Sequence, residues 1–495
     1  MDFNSVKPET MSLLQEINDY VSAKGIESYI VGGFVRDILL GRETADIDIT
    51  VHGDAREIAE GISEILGGRY VLLDDINKVA RVILLDKKGS STEISHVLDF
   101  SSFSETIEKD LARRDFTIDA MALDLNQSGE GFRSVEIIDP FNGRGDLNSK
   151  VIVAVSDGIF SEDAVRLLRA VRLAGELGFN IDKDTEILVK KDAQLLGGVP
   201  GERMREEFLR LLAIREAGKI LRYIDELGLL TAIIPELEES RGQEQPKEHH
   251  WDVLEHSFAT VSALEFLLGE GNWEYANEDV PATDFLSDEL TEHMEQEVSA
   301  GSTRKSLLKL SALIHDIGKP RTKLIDETGR TRFLGHSKEG VALVTGRLEK
   351  LRFSSREIKL IETEILHHMR PTQLSQEGMP SDRAVYRYYR DTGQAGLDIL
   401  FLNLADHLAT RGPDLDSTNW HQHIELVNYL IEKYFAKENI INPPKIVDGY
   451  DIIKSFGLSP GPRIGELLDA VKEAQASGEI VNRDQALAFI KKLIA

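Results

Sequence analysis

Two aspartates two positions apart carry the first sign of chemistry in this sequence. Asp46 and Asp48 lie in the run DIDITV, which alternates polar and apolar residues as a half-buried strand does. Because side chains alternate across a strand, both carboxylates face one side while Ile47 and Ile49 face a core. Two oxygen ligands this close suit Mg²⁺ bound together with substrate phosphates. The pair therefore predicts metal-assisted transfer chemistry, in which a hydroxyl is activated and a leaving pyrophosphate is stabilised.

A glycine-rich turn lies just upstream of these carboxylates. In VGGFVRD, Gly32 and Gly33 stand where a predicted strand turns into a helix, so backbone N–H groups there can approach a triphosphate. The Arg36 guanidinium in the same run can pair with phosphate oxygens. Taken singly, a paired glycine is most often an ordinary turn, and D-x-D is most often a solvated strand face. Their occurrence within 17 residues favours a shared nucleotide site.

A carboxylate and an arginine on a predicted helix could read a nucleobase. The run 162–178 has helical spacing and ends at Gly178, a natural C-cap. On that helix Asp163 and Arg166 would be i,i+3 neighbours. The carboxylate could accept from the exocyclic amine that cytosine and adenine share, and the guanidinium could donate to ring acceptors. An intrahelical salt bridge is the alternative interpretation.

A second constellation combines histidine and aspartate. His256, the adjacent His315 and Asp316, and Asp406 lie on predicted helices. These imidazoles and carboxylates suit a divalent transition metal, which would polarise a phosphate and lower the pKa of a bound water. The order H…HD…D resembles the HD phosphohydrolase superfamily, which implies hydrolysis of phosphoesters or cyclic phosphates, including those at RNA termini. Additional candidates are Lys319 for phosphate binding and His336, His367 and His368 for a second metal.

Five motifs follow one another along roughly residues 25–220: GGFVRD…DIDI, RRDFTIDAMA (113–122), DPFNGRGDL (139–147), EDAVRLLRAVRLA (162–174) and GERMREEF (201–208). Together they closely resemble the motifs of class II tRNA nucleotidyltransferases and bacterial poly(A) polymerases. The resemblance implies that Asp46 and Asp48 are catalytic and bind Mg²⁺. It also implies nucleotide contacts, which here fall on Gly32, Gly33, Arg36, Arg113, Arg114, Asp115, Asp163, Arg166 and Arg169.

Four further positions depart from this pattern or extend it. The family motif usually reads RRDFTINAMA, whereas this chain has Asp119 in place of the asparagine, which adds a negative charge. Glu93, in the predicted strand TEISH, is either a third metal-facing carboxylate or an exposed strand residue. Glu202 and Arg203 match the last motif and are predicted to brace the nucleotide-binding helices.

The elements that must position these residues change in character along the chain. β-rich runs at 29–35, 46–51 and 80–85 alternate with an amphipathic stretch at 55–66, whereas long helical patterns follow residue 161. The predicted class is α+β, with a small α/β nucleotidyltransferase head, polymerase-β-like as the resemblance implies, followed by all-helical neck, HD and tail domains. The predicted boundaries are 1–155 for the head, 156–240 for the neck, 241–415 for the HD domain with an acidic insertion at 269–302, and 416–495 for the tail.

Charge is unevenly distributed along the chain. The 495 residues include 85 acidic and 58 basic side chains, and the net charge of −27 argues at face value against a nucleic-acid partner. Residues 223–300, however, hold 20 acidic and two basic groups, whereas residues 301–370 hold 15 basic and eight acidic groups. We therefore expect tRNA to avoid the acidic segment and to lie along head, neck and tail. The tail run GLSPGPRIGELL (457–468) resembles the segment that helps relatives hold tRNA; a helical packing unit is the alternative.

Cysteine usage and the absence of long apolar runs bear on the compartment. The chain has no cysteine, which excludes disulfides and thiolate zinc sites and is compatible with a reducing cytoplasm. It shows neither a secretory signal nor an apolar run near the roughly 18 residues that span a bilayer. A cytoplasmic protein without a membrane partner is the prediction.

The predicted function is template-independent, Mg²⁺-dependent addition of C and A from CTP and ATP to the tRNA 3′ end, with a second, metal-dependent phosphohydrolase site. Alternatives within the family are addition of only CC, only A, or poly(A). The stretch 71–91 departs from the commonest family versions, which keeps a restricted activity open. A protein that is mainly an HD phosphohydrolase, or a non-enzymatic RNA-binding scaffold, is disfavoured by the presence of Asp46, Asp48 and Asp163.

Overall fold

The computed structural model describes residues 6–85, 94–127, 136–277, 280, 287–374, 378–436 and 443–494. The chain falls into two compact units, Met1–Val199 and Pro200–Ala495. The first is built on a mixed β-sheet and the second is mostly helical, which confirms the predicted α+β class. The four-domain division stays a prediction. Glu93 and parts of the segments 71–91 and 269–302 lie outside the described residues.

Strands and helices alternate through the first unit. Its strands are β1 (Ser28–Val31), β2 (Asp46–His52), β3 (Arg69–Asp74), β4 (Val79–Leu85), β5 (Ile94–Phe103), β6 (Ala122–Asp124), β7 (Ile137–Ile138), β8 (Val151–Ile152) and β9 (Asn180–Ile181). Its helices are α1 (Pro8–Ala23), α2 (Gly33–Leu39), α3 (Ala55–Leu66), α4 (Ile107–Leu111), α5 (Gly143–Ser149), α6 (Ile159–Glu162), α7 (Arg166–Leu177) and α8 (Lys183–Asp192).

The main sheet has the strand order β3-β4-β5-β2-β1-β6-β7, in which β2 and β5 run parallel while β1 and β4 each pair antiparallel with their neighbours. Ile47, Ile49 and Val51 of β2 are at most 1% exposed and share a core with α1, α2 and α3. Burial of each such side chain stabilises the fold by roughly 1.5–3 kcal/mol. Because a slip of one residue would turn the aspartates of β2 into this core, the apolar residues hold the strand in register and keep the carboxylates on the opposite face.

The helix predicted over 162–178 begins later, at Arg166. Asp163 follows α6 in extended backbone, with φ −152° and ψ 98°, and its carbonyl accepts from the Arg166 N–H at 3.1 Å. The two residues therefore flank a turn and do not share one helix face, which corrects the predicted i,i+3 geometry. The predicted end is confirmed, because Gly178 caps α7 with φ 68°.

The second unit is a set of helices with two short hairpins. The helices are α9 (Gly201–Ala213), α10 (Ala217–Glu226), α11 (Leu230–Ile233), α12 (Val253–Leu267), α13 (Asp288–Glu295), α14 (Arg304–Ile314), α15 (His336–Lys350), α16 (Ser355–His367), α17 (Arg370–Leu374), α18 (Asp382–Thr392), α19 (Gly396–Arg411), α20 (Ser417–Phe435), α21 (Gly449–Phe456), α22 (Pro462–Ala476) and α23 (Arg483–Ile494). The strands are β10 (Glu297–Ser299), β11 (Ser302–Thr303), β12 (Lys323–Ile325) and β13 (Thr331–Phe333). None of the helices in the described part of the chain combines the length and the apolar character that a membrane crossing requires.

A fully buried lysine ties together the helices around the centre of this unit. Lys309 of α14 is 0% exposed, and its Nζ lies 2.8 Å from Glu265 Oε1 and 2.8 Å from Glu270 Oε2. The Glu265 carboxylate also accepts from the backbone N–H groups of Ala217 and Gly218, at 2.7 and 3.0 Å. The start of α10 is thereby held to α12 and α14 by one ionic network.

Replacing this lysine is expected to destabilise the protein strongly. Lys309→Met should lower the free energy of unfolding by about 3–5 kcal/mol, because it leaves the buried Glu265 carboxylate without its cation, while Glu270 keeps only Lys305. Urea unfolding measures the loss. Lys305→Met is the matched control: Lys305 lies one turn earlier on α14, is 16% exposed and also pairs with Glu270, but its loss leaves Lys309 on both carboxylates, so it should cost much less. Equal midpoints for wild type and Lys309→Met would contradict the expectation.

Candidate active site and metal centre

Three aspartates lie near one another on one face of the main sheet. The opposite face of β2 carries the apolar side chains that pack against α1, α2 and α3. Asp48 of β2 is the register partner of Asp99 of β5, and Asp46 lies two residues earlier on the same strand face. The sequence interpretation missed Asp99, because the parallel pairing of two distant strands cannot be read from either strand alone. The sequence did carry one signal, because Asp99 stands between the apolar residues Leu98 and Phe100, an alternation typical of a half-buried strand. Both flanking side chains are fully buried in the structure.

A left-handed glycine brings the backbone close to these carboxylates. Gly32 has φ 71°, and a Cβ at this position would lie 2.8 Å from both Asp48 Oδ2 and Arg114 Nη1. A side chain cannot be accommodated there, so the position requires glycine. Gly33 follows as the first residue of α2. The predicted glycine turn, the DIDIT strand and the RRDFT segment therefore meet in one place.

The electrostatics of this place suit a divalent cation. Burial raises the pKa of Asp48 to about 6, helped by the charges of Asp99, Asp119 and Asp46 and opposed by the Arg114 guanidinium. Crowded carboxylates are an oxygen donor set that a hard cation would stabilise, so the residues fit Mg²⁺. Within the described residues, groups of three potential ligand atoms lying within 4.8 Å of one another are found only in the second unit. The head aspartates thus form a looser row.

Arg36 is engaged inside the protein. Its Nε and Nη2 donate to the two carboxylate oxygens of Asp37 at 3.0 and 3.1 Å, and its Nη1 donates to Asp119 Oδ1 at 2.8 Å. The Arg36 side chain is 12% exposed. Asp119, the departure from the family motif, therefore supplies the partner that fixes α2 against the RRDFT segment. Within this geometry Arg36 is a brace, and the contact with phosphate predicted for it stays a prediction.

The RRDFT segment and α7 are interlocked. Arg169 Nη1 donates to Asp115 Oδ2 at 2.8 Å, and Arg166 Nη2 donates to the backbone carbonyl of Arg113 at 2.8 Å. Asp115 is 7% exposed, whereas the Arg113 side chain is 69% exposed and pairs with Asp110 at 2.7 Å. The structure brings these predicted nucleotide-binding residues together, and Arg113 retains the most access to solvent.

The DPFNGRGDL motif supports the same segment. Asp139 accepts from the backbone N–H groups of Gly143 and Arg144, at 2.6 and 3.0 Å. Thr117 Oγ1 donates to Asp146 Oδ2 at 2.6 Å. A Cβ on Gly143 would lie 2.2 Å from the Thr117 carbonyl oxygen, so only glycine permits this packing. The motif therefore holds the RRDFT segment in place and has a structural role beside the site.

Two further predicted residues lie in the second unit. Glu202 and Arg203 are exposed in the first turn of α9. Their bracing role toward the nucleotide-binding helices stays a prediction.

The four predicted ligands of the histidine–aspartate constellation converge in the second unit. His256 Nε2 lies 3.1 Å from Asp406 Oδ1 and 3.4 Å from Asp316 Oδ2. His315 Nε2 lies 3.1 Å from Asp316 Oδ2 and 3.8 Å from Asp406 Oδ1. His256, His315 and Asp316 are at most 1% exposed. Two imidazoles and two carboxylates around one point are a donor set that fits a divalent transition metal.

The second oxygen of Asp316 faces another pair of histidines. Asp316 Oδ1 lies 3.4 Å from His336 Nε2 and 3.9 Å from His368 Nε2, and these two nitrogens are 3.4 Å apart. Asp316 therefore stands between two groups of imidazoles. His367, the third additional histidine, belongs to neither group and lines a separate groove beside Lys359.

Backbone carbonyls orient three of these imidazoles. Nδ1 of His315, His336 and His368 lies 2.9, 2.8 and 2.8 Å from the carbonyl oxygen three residues earlier. A carbonyl can only accept, so Nδ1 carries the proton and Nε2 offers its lone pair to the centre. Burial lowers the pKa of His368 to about 4, which keeps this imidazole neutral at neutral pH.

A cavity of about 580 Å³ opens over this centre. Lys319 Nζ lies 2.5 Å from Asp316 Oδ2 and donates to Gln245 Oε1 at 2.7 Å, so the predicted phosphate-binding lysine stands at the metal ligands. His249 also lines the cavity, with its ring 5.6 Å from that of His256. The sequence interpretation missed His249, because a histidine in a polar interval has no periodic neighbours that would mark it.

Four families match consecutive parts of the chain. The Poly A polymerase head domain matches residues 28–153, and the family described as "Probable RNA and SrmB-binding site of polymerase A" matches residues 178–240. The HD domain matches residues 282–411, and tRNA nucleotidyltransferase domain 2 matches residues 422–490. The order of these matches is the order of the motifs described above.

Similarity also extends along nearly the whole chain. An A-adding tRNA nucleotidyltransferase of Deinococcus radiodurans is 32% identical over 94% of both chains. A CC-adding tRNA nucleotidyltransferase of Thermus thermophilus is 30% identical over 94% of this chain and 93% of its own. Among solved structures, a Thermotoga maritima CCA-adding enzyme complexed with tRNA aligns over 99% of this chain and 96% of its own, at 22% identity and a TM-score of 0.59. The last likeness is one of fold.

Proposed function

The chain belongs to the tRNA nucleotidyltransferase family, and from this premise we propose that it transfers C or A nucleotides from CTP or ATP to the 3′ end of tRNA. The row formed by Asp46, Asp48 and Asp99 beside the Gly32 turn is the observation that carries the proposal. Carboxylates that can bind counter-ions, next to a glycine turn whose backbone N–H groups can approach phosphates, are an arrangement that fits a triphosphate with its cations.

The residues of this site have distinct tasks in the proposed reaction. Mg²⁺ held by the three aspartates would activate the 3′-hydroxyl and stabilise the leaving pyrophosphate. Arg113 and Arg114 donate to ribose and phosphate oxygens, and the high exposure of Arg113 leaves it accessible to them. The bidentate Arg36–Asp37 pair and the Arg36–Asp119 bond keep the glycine turn rigid while the triphosphate is held.

Base selection is assigned to the turn between α6 and α7. Asp163 would accept from the exocyclic amine of cytosine or adenine, and Arg166 would donate to ring acceptors. Arg166 and Arg169 also tie α7 to the RRDFT segment, so the base-reading turn is held in a fixed position relative to the carboxylates. Uracil and guanine lack the amine at the corresponding place, so UTP and GTP would leave the Asp163 carboxylate without a donor and would be rejected.

We further propose that the chain performs one stage of CCA synthesis. Both relatives cited above that align along about 94% of the chain are restricted enzymes, one A-adding and one CC-adding. The stretch 71–91, which differs from the commonest family versions, lies between the DIDIT strand and RRDFT. A segment that differs at this point can limit how many nucleotides the site adds before it releases the RNA.

Extension of defined tRNAs tests the proposal. Purified protein with Mg²⁺ is given tRNA ending at the discriminator base, at C or at CC, with each triphosphate in turn. We expect CTP addition to the first two or ATP addition to the third, and no use of UTP or GTP. Failure to extend any tRNA would refute nucleotide transfer, whereas complete CCA on the first substrate would refute only the restriction to one stage.

The buried histidine–aspartate cluster favours a second function, metal-dependent hydrolysis of phosphoesters. His256, His315, Asp316 and Asp406 would hold one divalent transition metal, and Asp316, His336 and His368 a second. A metal bound there would polarise a phosphate and lower the pKa of a coordinated water. Lys319 would hold a phosphate oxygen beside Asp316, and phosphorylated or cyclic-phosphate RNA ends are the proposed substrates.

A further inference from the structure

Arg81 completes the row of charged residues on the open face of the sheet. In the antiparallel pairing of β4 and β5, Arg81 is the register partner of Asp99, which is in turn the partner of Asp48. Its neighbours Ala80 and Val82 are fully buried, so Arg81 points to the carboxylate face. Three adjacent strands thus present arginine, aspartate and aspartate side by side.

The contact between Arg81 and Asp99 uses the whole carboxylate. Arg81 Nε donates to Asp99 Oδ1 at 2.7 Å, and Nη2 donates to Oδ2 at 2.8 Å. A bidentate pair of this kind occupies both oxygens. The Arg81 guanidinium is therefore a cation already bound to this carboxylate of the row.

The same pair is open enough to exchange. The Arg81 side chain is 38% exposed and the Asp99 side chain is 29% exposed. Exposed ion pairs stabilise a protein by no more than about 1 kcal/mol, which is far less than a buried pair. A divalent cation that takes an oxygen of Asp99 must displace at least one of the two hydrogen bonds. The guanidinium released in this way would be free to pair with a phosphate group.

We propose that Arg81 is a positioning residue that competes with the divalent metal for Asp99 until the phosphates of an arriving substrate accept its guanidinium. The inference rests on the proposed nucleotidyl transfer and specifies the order of two events in it, the arrival of the phosphates and the binding of metal by Asp99. Metal engagement of Asp99 becomes coupled to the arrival of the nucleotide or of the RNA, so the free protein holds metal weakly at the third carboxylate. The group that accepts the Arg81 guanidinium is a phosphate, which belongs either to the triphosphate or to the RNA backbone.

Mn²⁺ binding to the full-length protein without nucleotide or RNA tests this competition. Free Mn²⁺ is measured by electron paramagnetic resonance, and the binding that Asp99→Asn removes defines the Asp99-dependent site. Arg81→Met should tighten that site by roughly fivefold, the factor that corresponds to a pair of about 1 kcal/mol. Arg81→Lys should give a smaller gain, since it keeps the charge but loses the bidentate fork. In the Asp99→Asn background, Arg81→Met should have no effect.

Arg56→Met is the matched control, because Arg56 pairs with Asp54 and Asp75 at the start of α3, away from this row. It should leave Mn²⁺ affinity unchanged. In extension assays, a rise in KM confined to CTP or ATP would identify the triphosphate as the acceptor of Arg81, and a rise confined to tRNA would identify the RNA backbone. Unchanged or weaker Mn²⁺ binding in both Arg81 variants would overturn the inference, as would the lack of any Asp99-dependent site. Failure of wild type to extend tRNA would instead refute the proposed function, because the metal titration needs no RNA.

Discussion

Asp48→Asn is expected to lower the rate of nucleotide addition by at least about 1,000-fold. Mutation of a residue that only hydrogen-bonds to a metal ligand already lowers metal affinity or activity by about 10–100-fold. Asp48 is a proposed direct ligand at the centre of the carboxylate row, so its loss should cost more. The asparagine has nearly the shape of aspartate but carries no charge, so the cation loses the ligand while the turn at Gly32 keeps its packing. Single-turnover extension of tRNA, at saturating triphosphate and Mg²⁺, measures the effect.

Stability separates this loss from damage to the fold. The pKa of Asp48 is raised to about 6 in the folded protein, above its usual value of 3.8, so the folded state loses stability as pH rises through that range. Asparagine does not titrate. The melting temperature of Asp48→Asn at pH 8 should therefore equal or exceed that of wild type, and the gain should vanish near pH 4.

A control on the other face of the sheet completes the test. Asp19 is an exposed aspartate on α1, the helix that packs against the apolar side of β2. Asp19→Asn should leave both extension and melting temperature unchanged. Retention of more than a tenth of the wild-type rate by Asp48→Asn would remove Asp48 from the metal ligands.

Local periodicity predicted the parts of the head that depend on one strand or helix. The alternation in DIDITV placed Asp46 and Asp48 on one face, and the amphipathic stretch 55–66 coincides with α3. Periodicity could not predict the pairing of β2 with β5, which is set by burial of both strands in a common core. Asp99 and its partner Arg81 therefore became visible only when the strands were placed in register.

Hydrogen bonds to distant parts of the chain, rather than periodicity, decide where α7 begins and which partners the arginines have. The run 162–178 reads as one helix, yet its backbone turns at Asp163 and the helix starts at Arg166, whose side chain donates to the Arg113 carbonyl. Arg36 donates to Asp119, a position that only the fold brings close, while its role in phosphate binding stays a prediction. Long-range partners of arginine are a property of the tertiary structure, and a single sequence does not contain them in readable form.

The histidine–aspartate centre was easier to predict, since its ligands lie on buried helices and the residue types themselves limit the chemistry. His256, His315, Asp316 and Asp406 converge as the pattern predicts. The sequence did not reveal how the two oxygens of Asp316 are shared. One oxygen faces His256 and His315, and the other faces His336 and His368. This division gives Asp316 a larger expected effect than any single histidine.

Asp316→Asn is accordingly expected to abolish retention of transition metal in the second unit and to reduce phosphodiester hydrolysis by at least about 1,000-fold. An amide offers only one oxygen and no charge, so His336 and His368 lose their anionic ligand, and His256 and His315 keep only the Asp406 carboxylate. His368→Ala should remove one of two metal equivalents, because His368 contacts only the second oxygen of Asp316. Elemental analysis of the purified protein and hydrolysis of bis-p-nitrophenyl phosphate measure both effects.

Asp48→Asn is measured by tRNA extension, whereas Asp316→Asn is measured by metal content and phosphodiester hydrolysis, so the effect of Asp316→Asn can be assigned to the second unit. Asp316→Asn should extend tRNA at the wild-type rate if its fold is intact, since the carboxylate row lies in the other unit. His421→Ala is the control for the number of histidines, because His421 is an exposed residue of α20 and should keep the full metal content. Wild-type metal content in Asp316→Asn would contradict the bridging role. Equal metal content in wild type and His368→Ala would leave one metal at the centre and would refute the second.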